Sequence, residues 1–253
     1  MPPVDYRWGW DLSRLHDQMI SLWLILCSGC RTLFAAPNCT PWSSNSRAWD
    51  PSTLDYQRNQ EFRTLQFLAV ICFVQVILGR TYVVENPLGS DIFKTSALAE
   101  LRADELPHQV HVLDQCMYGA EMEGMAVKKA TEFMSNRSLS SLSTRCSRDH
   151  EHLRLRGCNH LGARTAQSAV YPNQLCDALI ANFLEMSTTD GSITKVDGSH
   201  FLDIYMAHHT DDECDVMAGL GSALGELRER AEALGYAGSL MAGNCGAMDG
   251  AAC

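Results

Sequence analysis

The chain has 253 residues, 46% of them apolar and 20% charged, enough to bury one substantial core and unlike a disordered or fibrous composition. A net charge of −10 excludes a uniformly basic nucleic-acid wrapper, yet the charge is uneven: residues 1–186 hold 17 Lys/Arg against 19 Asp/Glu, and residues 187–253 hold 3 against 11. Eleven cysteines, scattered and odd in number, exclude a secreted disulfide framework and read as reduced thiols.

The N-terminal stretch has no basic flank followed by an apolar run and does not read as a signal peptide. No run reaches the roughly 18 to 20 uncharged apolar residues of a membrane span. The expectation is an intracellular protein, nuclear or cytoplasmic, with no membrane contact. Apolar period and punctuation then give the elements in order. Leu12 to Leu26 reads as a helix and Arg31 to Ala36 as a short strand stopped by Pro37. A polar loop follows, and Leu54 to Leu78 reads as a long buried helix ended by Gly79, a residue that suits a helix stop. Thr81 to Glu85 is a β-branched strand running into Asn-Pro, Ser96 to Ala103 a short helix, and Val110 to Cys116 a strand closed by Gly119.

Strand, helix, strand, helix, strand at this spacing predicts parallel pairing with covering helices, an α/β layered fold. Residues 120–165 read as irregular, Ser-rich and basic, and Tyr171 to Met186 as a helix with Pro172 in its first turn. Beyond Ser187 the chain turns acidic and Gly-rich, with one helical run near Asp211 to Leu234. The division expected is a main domain over 1–186 and an acidic, mostly helical or disordered tail over 187–253.

In parallel sheets ligands sit at the carboxyl ends of the strands. Pro37 to Ser43, Glu85 to Pro87 and Gln115 to Tyr118 all fall there, so three polar segments are expected on one rim. The window 128–164 carries eight basic residues against three acidic ones and is the segment suited to face phosphates; a solvated loop is its plainer reading.

Those rim segments carry a resemblance. Ala36-Pro37-Asn38-Cys39-Thr40-Pro41-Trp42-Ser43 resembles the nucleophile motif of cytosine-5 DNA methyltransferases. Val84-Glu85-Asn86-Pro87 resembles their strand-terminal Glu-Asn motif, and Gly9-Trp10-Asp11 stands where they carry Gly-Asp near the cofactor. Gln75-x3-Gly79-Arg80, Gln115-Cys116-x-Tyr118-Gly119, Lys129-x-Thr131 and Tyr171-Pro172-x2-Leu175-Cys176 resemble a divergent branch of phage-like enzymes and retrotransposon-type polyproteins.

The resemblance implies a partial Rossmann-like methyltransferase sheet with covering helices. It implies Cys39 as a thiolate nucleophile toward C6 of a flipped cytosine, its pKa lowered by loop and positive charge, and Glu85 as the group at N3. S-adenosylmethionine is the implied methyl donor, placed near Asp11 and Pro37. Ser43, Asn86, Gln115, Lys128 and Lys129 are the implied contacts to DNA. Each has a plainer alternative: a buried hydrophobe for Cys39, a helix-capping neighbour for Glu85, an N-cap for Asp11.

The pattern also departs from the family. Only eight residues precede Gly9, so the glycine-rich first motif is missing. Asn38 replaces a second proline, paired arginines near Gln115 have no counterpart, and target recognition is reduced to Lys128 to Arg164. The expectation is a fragment or inactive relative that does not methylate DNA by itself. The alternative is a non-catalytic nucleic-acid-binding or structural segment of a retroelement-type polyprotein.

Cys146-x3-His150-x-His152-x5-Cys158-x-His160 is the strongest metal pattern, since thiolates and imidazoles suit zinc. From it Cys146, His150, His152 and Cys158 are the expected ligands. Cys27-x2-Cys30 reads as core packing, and His208 to Glu213 as a helix start.

Overall fold

The computed structural model describes residues 4, 5, 7, 9–27, 30–102 and 108–189. The acidic tail beyond 189, with its expected helix and the His208 to Glu213 cluster, lies outside the described residues.

In chain order the elements are helix α1 (Leu15–Cys27), strand β1 (Thr32–Ala35), helix α2 (Pro51–Ile77), strand β2 (Thr81–Pro87), the short helix α3 (Ser96–Ala99) and strand β3 (Gln109–Asp114). After a 3-10 turn over Gln115–Tyr118 come the small hairpin β4 (Glu121–Met122) and β5 (Met125–Ala126) and strand β6 (Ala130–Ser135). A second small hairpin, β7 (Cys158–Asn159) and β8 (Gly162–Ala163), precedes α4 (Arg164–Gln167) and α5 (Asn173–Thr189).

Four strands form the main sheet in the order β1-β2-β6-β3. β1 and β2 are parallel, while β6 runs antiparallel to both β2 and β3. β1, β2 and β3 therefore point the same way, and the purely parallel sheet expected from the sequence is corrected by β6 wedged between β2 and β3. Residues 130–135 escaped prediction because Ala-Thr-Glu-Phe-Met-Ser lacks β-branched enrichment, and its place between two strands, not its propensity, makes it a strand.

Side chains alternate across the sheet, and the two faces bury different partners. Tyr82, Val84 and Met134 face α1, α2 and α3 in one core. Val83, Leu113 and Phe133 face α5 through Leu175 and Leu179 in the other. Phe34 of β1 meets Tyr171 edge-on at 6.2 Å and Phe183 at 6.1 Å, closing the second face.

α2 starts where Asp50 accepts from the Thr53 backbone N–H at 3.1 Å and Pro51 occupies the first turn, both features of a helix start. Its first half is polar and largely exposed, while Leu65 to Ile77 is mostly buried. Each such aliphatic side chain contributes about 1.5–3 kcal/mol relative to exposure. The helix stops at Gly79, whose φ of +68° is the left-handed conformation glycine adopts without penalty. Among the described residues α2 is the one helix long and apolar enough to cross a membrane, and 61% of its most apolar window is buried within the fold.

Candidate functional site

Because β1, β2 and β3 are parallel, their carboxyl ends lie at one edge of the sheet, and the amino end of β6 arrives there too. The register aligns Pro87 with Thr131 and Thr131 with Leu113 in one row. Cys39 follows β1, Glu85 and Asn86 end β2, and Gln115 follows β3, so the three polar segments expected on one rim are there.

Asn86 fixes the loop that carries Cys39. Its fully buried side chain donates from Nδ2 to the Pro37 carbonyl and to the Glu85 carbonyl, both at 3.1 Å. Arg58 of α2 secures the same loop one turn later. Its Nε donates to the Pro41 carbonyl at 3.0 Å, its Nη2 pairs with Asp91 at 3.2 Å, and the guanidinium lies 4.9 Å from the Trp42 ring. Ser43 is used locally: its Oγ donates to the Thr40 carbonyl, and its own carbonyl accepts from Ser46.

Glu85 shares the α5 face with Val83, two residues back along the strand, and is only 5% exposed. The Tyr171 hydroxyl hydrogen-bonds its carboxylate, while Oε1 has no hydrogen-bond partner among the described residues. Burial pushes the carboxyl pKa up, and Lys129 and Tyr171 offset only part of the rise. Tyr171 in turn has its phenol pushed far up by burial and by the neighbouring Glu85 and Cys39. The Lys129 ammonium sits 5.9 Å from the Tyr171 ring and donates to the Ser168 carbonyl at 3.3 Å.

The Cys39 thiol is also pushed up, by burial first, with the Glu85 charge adding and Lys129 opposing. This corrects the expectation of a lowered thiol pKa: Lys129 supplies the anticipated positive charge, but desolvation of the thiolate outweighs it. The Glu85 charge acts on the ionisation of Cys39, and both groups feel Lys129. The sulfur and the carboxylate thus share one locale.

Gln115 is buried, donating from Nε2 to Thr131 Oγ1 at 3.0 Å and from its backbone N–H to the Lys129 carbonyl at 3.0 Å. These two bonds, both donated by Gln115, hold the end of β3 to the start of β6. Lys128 and Lys129 part company: Lys129 acts on Cys39 and Glu85, whereas Lys128 acts on Asp114, Cys116 and His152. Asp11 lies in the turn before α1. Its carboxylate accepts from the Ser13 N–H at 3.0 Å and hydroxyl at 2.6 Å and pairs with Arg14 at 3.1 Å.

Beside the rim is a second group. The ligand atoms of Cys116, Cys146, His150 and His152 all lie within 4.8 Å of one another, a set that can hold a metal ion. Three of these four were expected from the sequence. Cys158 is corrected: it stands exposed on β7, and its place is taken by Cys116 from the turn after β3. Spacing along the chain cannot reveal a ligand thirty residues away, although Cys116 lies within the Gln115-Cys116-x-Tyr118-Gly119 segment. Tyr171 was likewise visible only as part of a Tyr-Pro pair opening a helix, and its partnership with Glu85 needed the fold.

The chain matches no family model, no curated protein and no solved structure.

Proposed function

We propose that the rim is the base-handling site of a cytosine-5 DNA methyltransferase-like domain, built on the distal part of a Rossmann-like sheet and acting on a base flipped out of DNA. The observation that carries this reading is the pairing of a cysteine with a buried carboxyl at the ends of two adjacent parallel strands, the carboxyl's Oε1 having no hydrogen-bond partner among the described residues.

Cytosine is a poor carbon nucleophile until a thiolate adds to C6. A carboxyl whose pKa is raised retains a proton to give to N3 as that addition proceeds. Burial moves Glu85 toward that condition, and Tyr171 holds one part of the carboxyl while Oε1 has no hydrogen-bond partner among the described residues. As the Cys39 Sγ–C6 bond forms, the thiol proton passes to water. The C5–C6 π pair moves to C4–C5 and the C4–N3 π pair to N3, which takes the Glu85 proton and leaves Glu85 as a carboxylate. Lys129 stabilises negative charge on either group while it develops. Asn86 and Arg58 act on the geometry by holding the loop.

The methyl donor implied by the resemblance, S-adenosylmethionine, does not fit the two positions assigned to it. The Asp11 carboxylate is engaged by Ser13 and Arg14, and the Pro37 carbonyl by Asn86. The phosphate-facing partner of the rim is the basic segment, in which Arg148, Arg154 and Arg156 are exposed and Arg145 is tied to Asp114 at the end of β3.

Fluorescence anisotropy tests the proposal with two DNA duplexes, one fully paired and one presenting a single unpaired cytosine. Flipping costs a few kcal/mol for a paired base and less for an unpaired one, so the unpaired cytosine is expected to bind ~10-fold tighter or better. Glu85→Gln should shrink that preference without changing the salt dependence set by the phosphate contacts. Equal affinity for both duplexes, with a steep salt slope, overturns the base site and leaves the non-catalytic nucleic-acid-binding reading, which the exposed arginines favour.

A further inference from the structure

The Cys/His group beside the rim has a geometry that does not depend on what the rim does. Cys146 Sγ lies 3.8 Å from His150 Nε2 and 3.4 Å from His152 Nε2, and Cys116 hydrogen-bonds to Cys146. In a tetrahedral zinc site, with Zn–S near 2.3 Å and Zn–N near 2.0–2.1 Å, a sulfur and a nitrogen ligand stand about 3.6 Å apart. The two observed separations bracket that value.

The surroundings are arranged for ligation as well. Asp149 Oδ1 lies 2.7 Å from His150 Nδ1. A proton on Nδ1 leaves the Nε2 lone pair facing the sulfurs, the arrangement by which carboxylates orient metal-bound histidines. The Arg148 backbone N–H donates to Cys146 Sγ at 3.3 Å, made possible by a left-handed φ of +65° at Arg148. The Cys146 backbone N–H donates to Asp114 Oδ2 at 2.9 Å, and the fully buried Asp114 also takes Arg145 at 2.9 Å. His152 is held by a parallel bridge to Ala126.

Both Nε2 atoms face Cys146 Sγ, so two imidazole nitrogens and a sulfur converge. The segment they belong to is also sparsely anchored: most of residues 143–157 are exposed and lie in no helix or strand. Metal ligation is a way to fix such a segment where apolar burial is scarce.

We propose that Cys116, Cys146, His150 and His152 form a structural zinc site that fastens the basic 145–156 segment to the carboxyl end of β3. Four protein ligands close the coordination sphere, as structural zinc requires, and two thiolates with two neutral imidazoles balance the ion's charge. Cys116 is the neighbour of Gln115, so the staple sets the exposed arginines of the segment beside the rim.

The test uses the full chain expressed with added zinc and purified without chelator. Elemental analysis should find about one zinc per chain, and cobalt replacement should give the visible bands of a tetrahedral site. Cys116→Ser and His150→Ala should lose the metal, Cys158→Ser should keep it, and His150→Cys, which supplies an equivalent ligand at an exposed position, should keep it too. In wild type, chelation should speed tryptic cleavage after Arg154 and Arg156 by ~10-fold or more; in His150→Ala cleavage should already be fast and insensitive to chelator. The proposal is overturned by zinc near zero with no cobalt bands, by a Cys116–Cys146 disulfide in its place, or by Cys158→Ser emptying the site as Cys116→Ser does.

Discussion

Replacing Asn86 by alanine tests whether the loop bearing Cys39 is held by β2. The side chain makes two hydrogen bonds from Nδ2, each 3.1 Å, to the carbonyls of Pro37 and Glu85. Each is worth about 1 kcal/mol net, and the acceptors left behind cost about a further 1–2 kcal/mol together. Against this, Asn86 Oδ1 is buried with no partner among the described residues, and removing it recovers about 1 kcal/mol. The sum is a destabilisation of about 2–3 kcal/mol. In urea unfolding, with a slope of about 2 kcal/mol per molar, the midpoint should fall by about 1–1.5 M at unchanged slope. The same change should free the Cys39 loop, so pulsed alkylation read by peptide mass spectrometry should label Cys39 several-fold faster, with Cys72 in the core unchanged. A midpoint shift below about 0.3 M together with an unaltered Cys39 rate refutes the reasoning.

Other perturbations follow from the same geometry. Glu85 has its folded pKa raised by burial, so the native state binds more protons than the unfolded one above the ordinary Glu range. The corresponding stability is complete below that range and lost as pH rises through the folded pKa; Glu85→Gln should gain on wild type from pH 4 to pH 8 in urea melts, and a constant difference contradicts it. Arg58→Lys keeps the charge but loses the flat guanidinium over Trp42 and the bond to Pro41; a loss of about 1 kcal/mol is expected in the same assay. Gly119 has φ +79°, and a Cβ there meets the end of the Gln174 side chain at 3.3 Å. Gly119→Ala should cost about 1–2 kcal/mol from the left-handed backbone alone, and a neutral result on thermal unfolding would show that the turn relaxes.

Much of the layered framework could be read from the chain because α1, β1, α2, β2, β3 and α5 announce themselves locally. Gly79 closes α2, although its start at Asp50-Pro51 precedes the expected Leu54; β-branched residues mark β2; Asn-Pro and Gly119 mark the ends of β2 and of the turn after β3. Neither β6 nor its direction was legible, since pairing between β2 and β3 is a property of the sheet and Glu132 disguises a strand buried on both sides. At the site, Cys39 and Glu85 were visible as polar residues at strand ends. The sign of the thiol's shift was not, because it depends on how much burial opposes Lys129. Cys116 and Tyr171 reach their partners through the fold, from the far side of β6 and from the lead into α5, distances that no local pattern encodes.

The most direct test of the base site needs no methyl donor. Addition of Cys39 to C6 lets C5 take a solvent proton, and reversal of the addition restores the ring with its C5 hydrogen exchanged. DNA carrying tritium at C5 of an unpaired cytosine should release label to water with the wild-type chain. Release should stop with Cys39→Ala and slow markedly with Glu85→Gln. Release by wild type no faster than by Cys39→Ala, from DNA shown to be bound, contradicts the account.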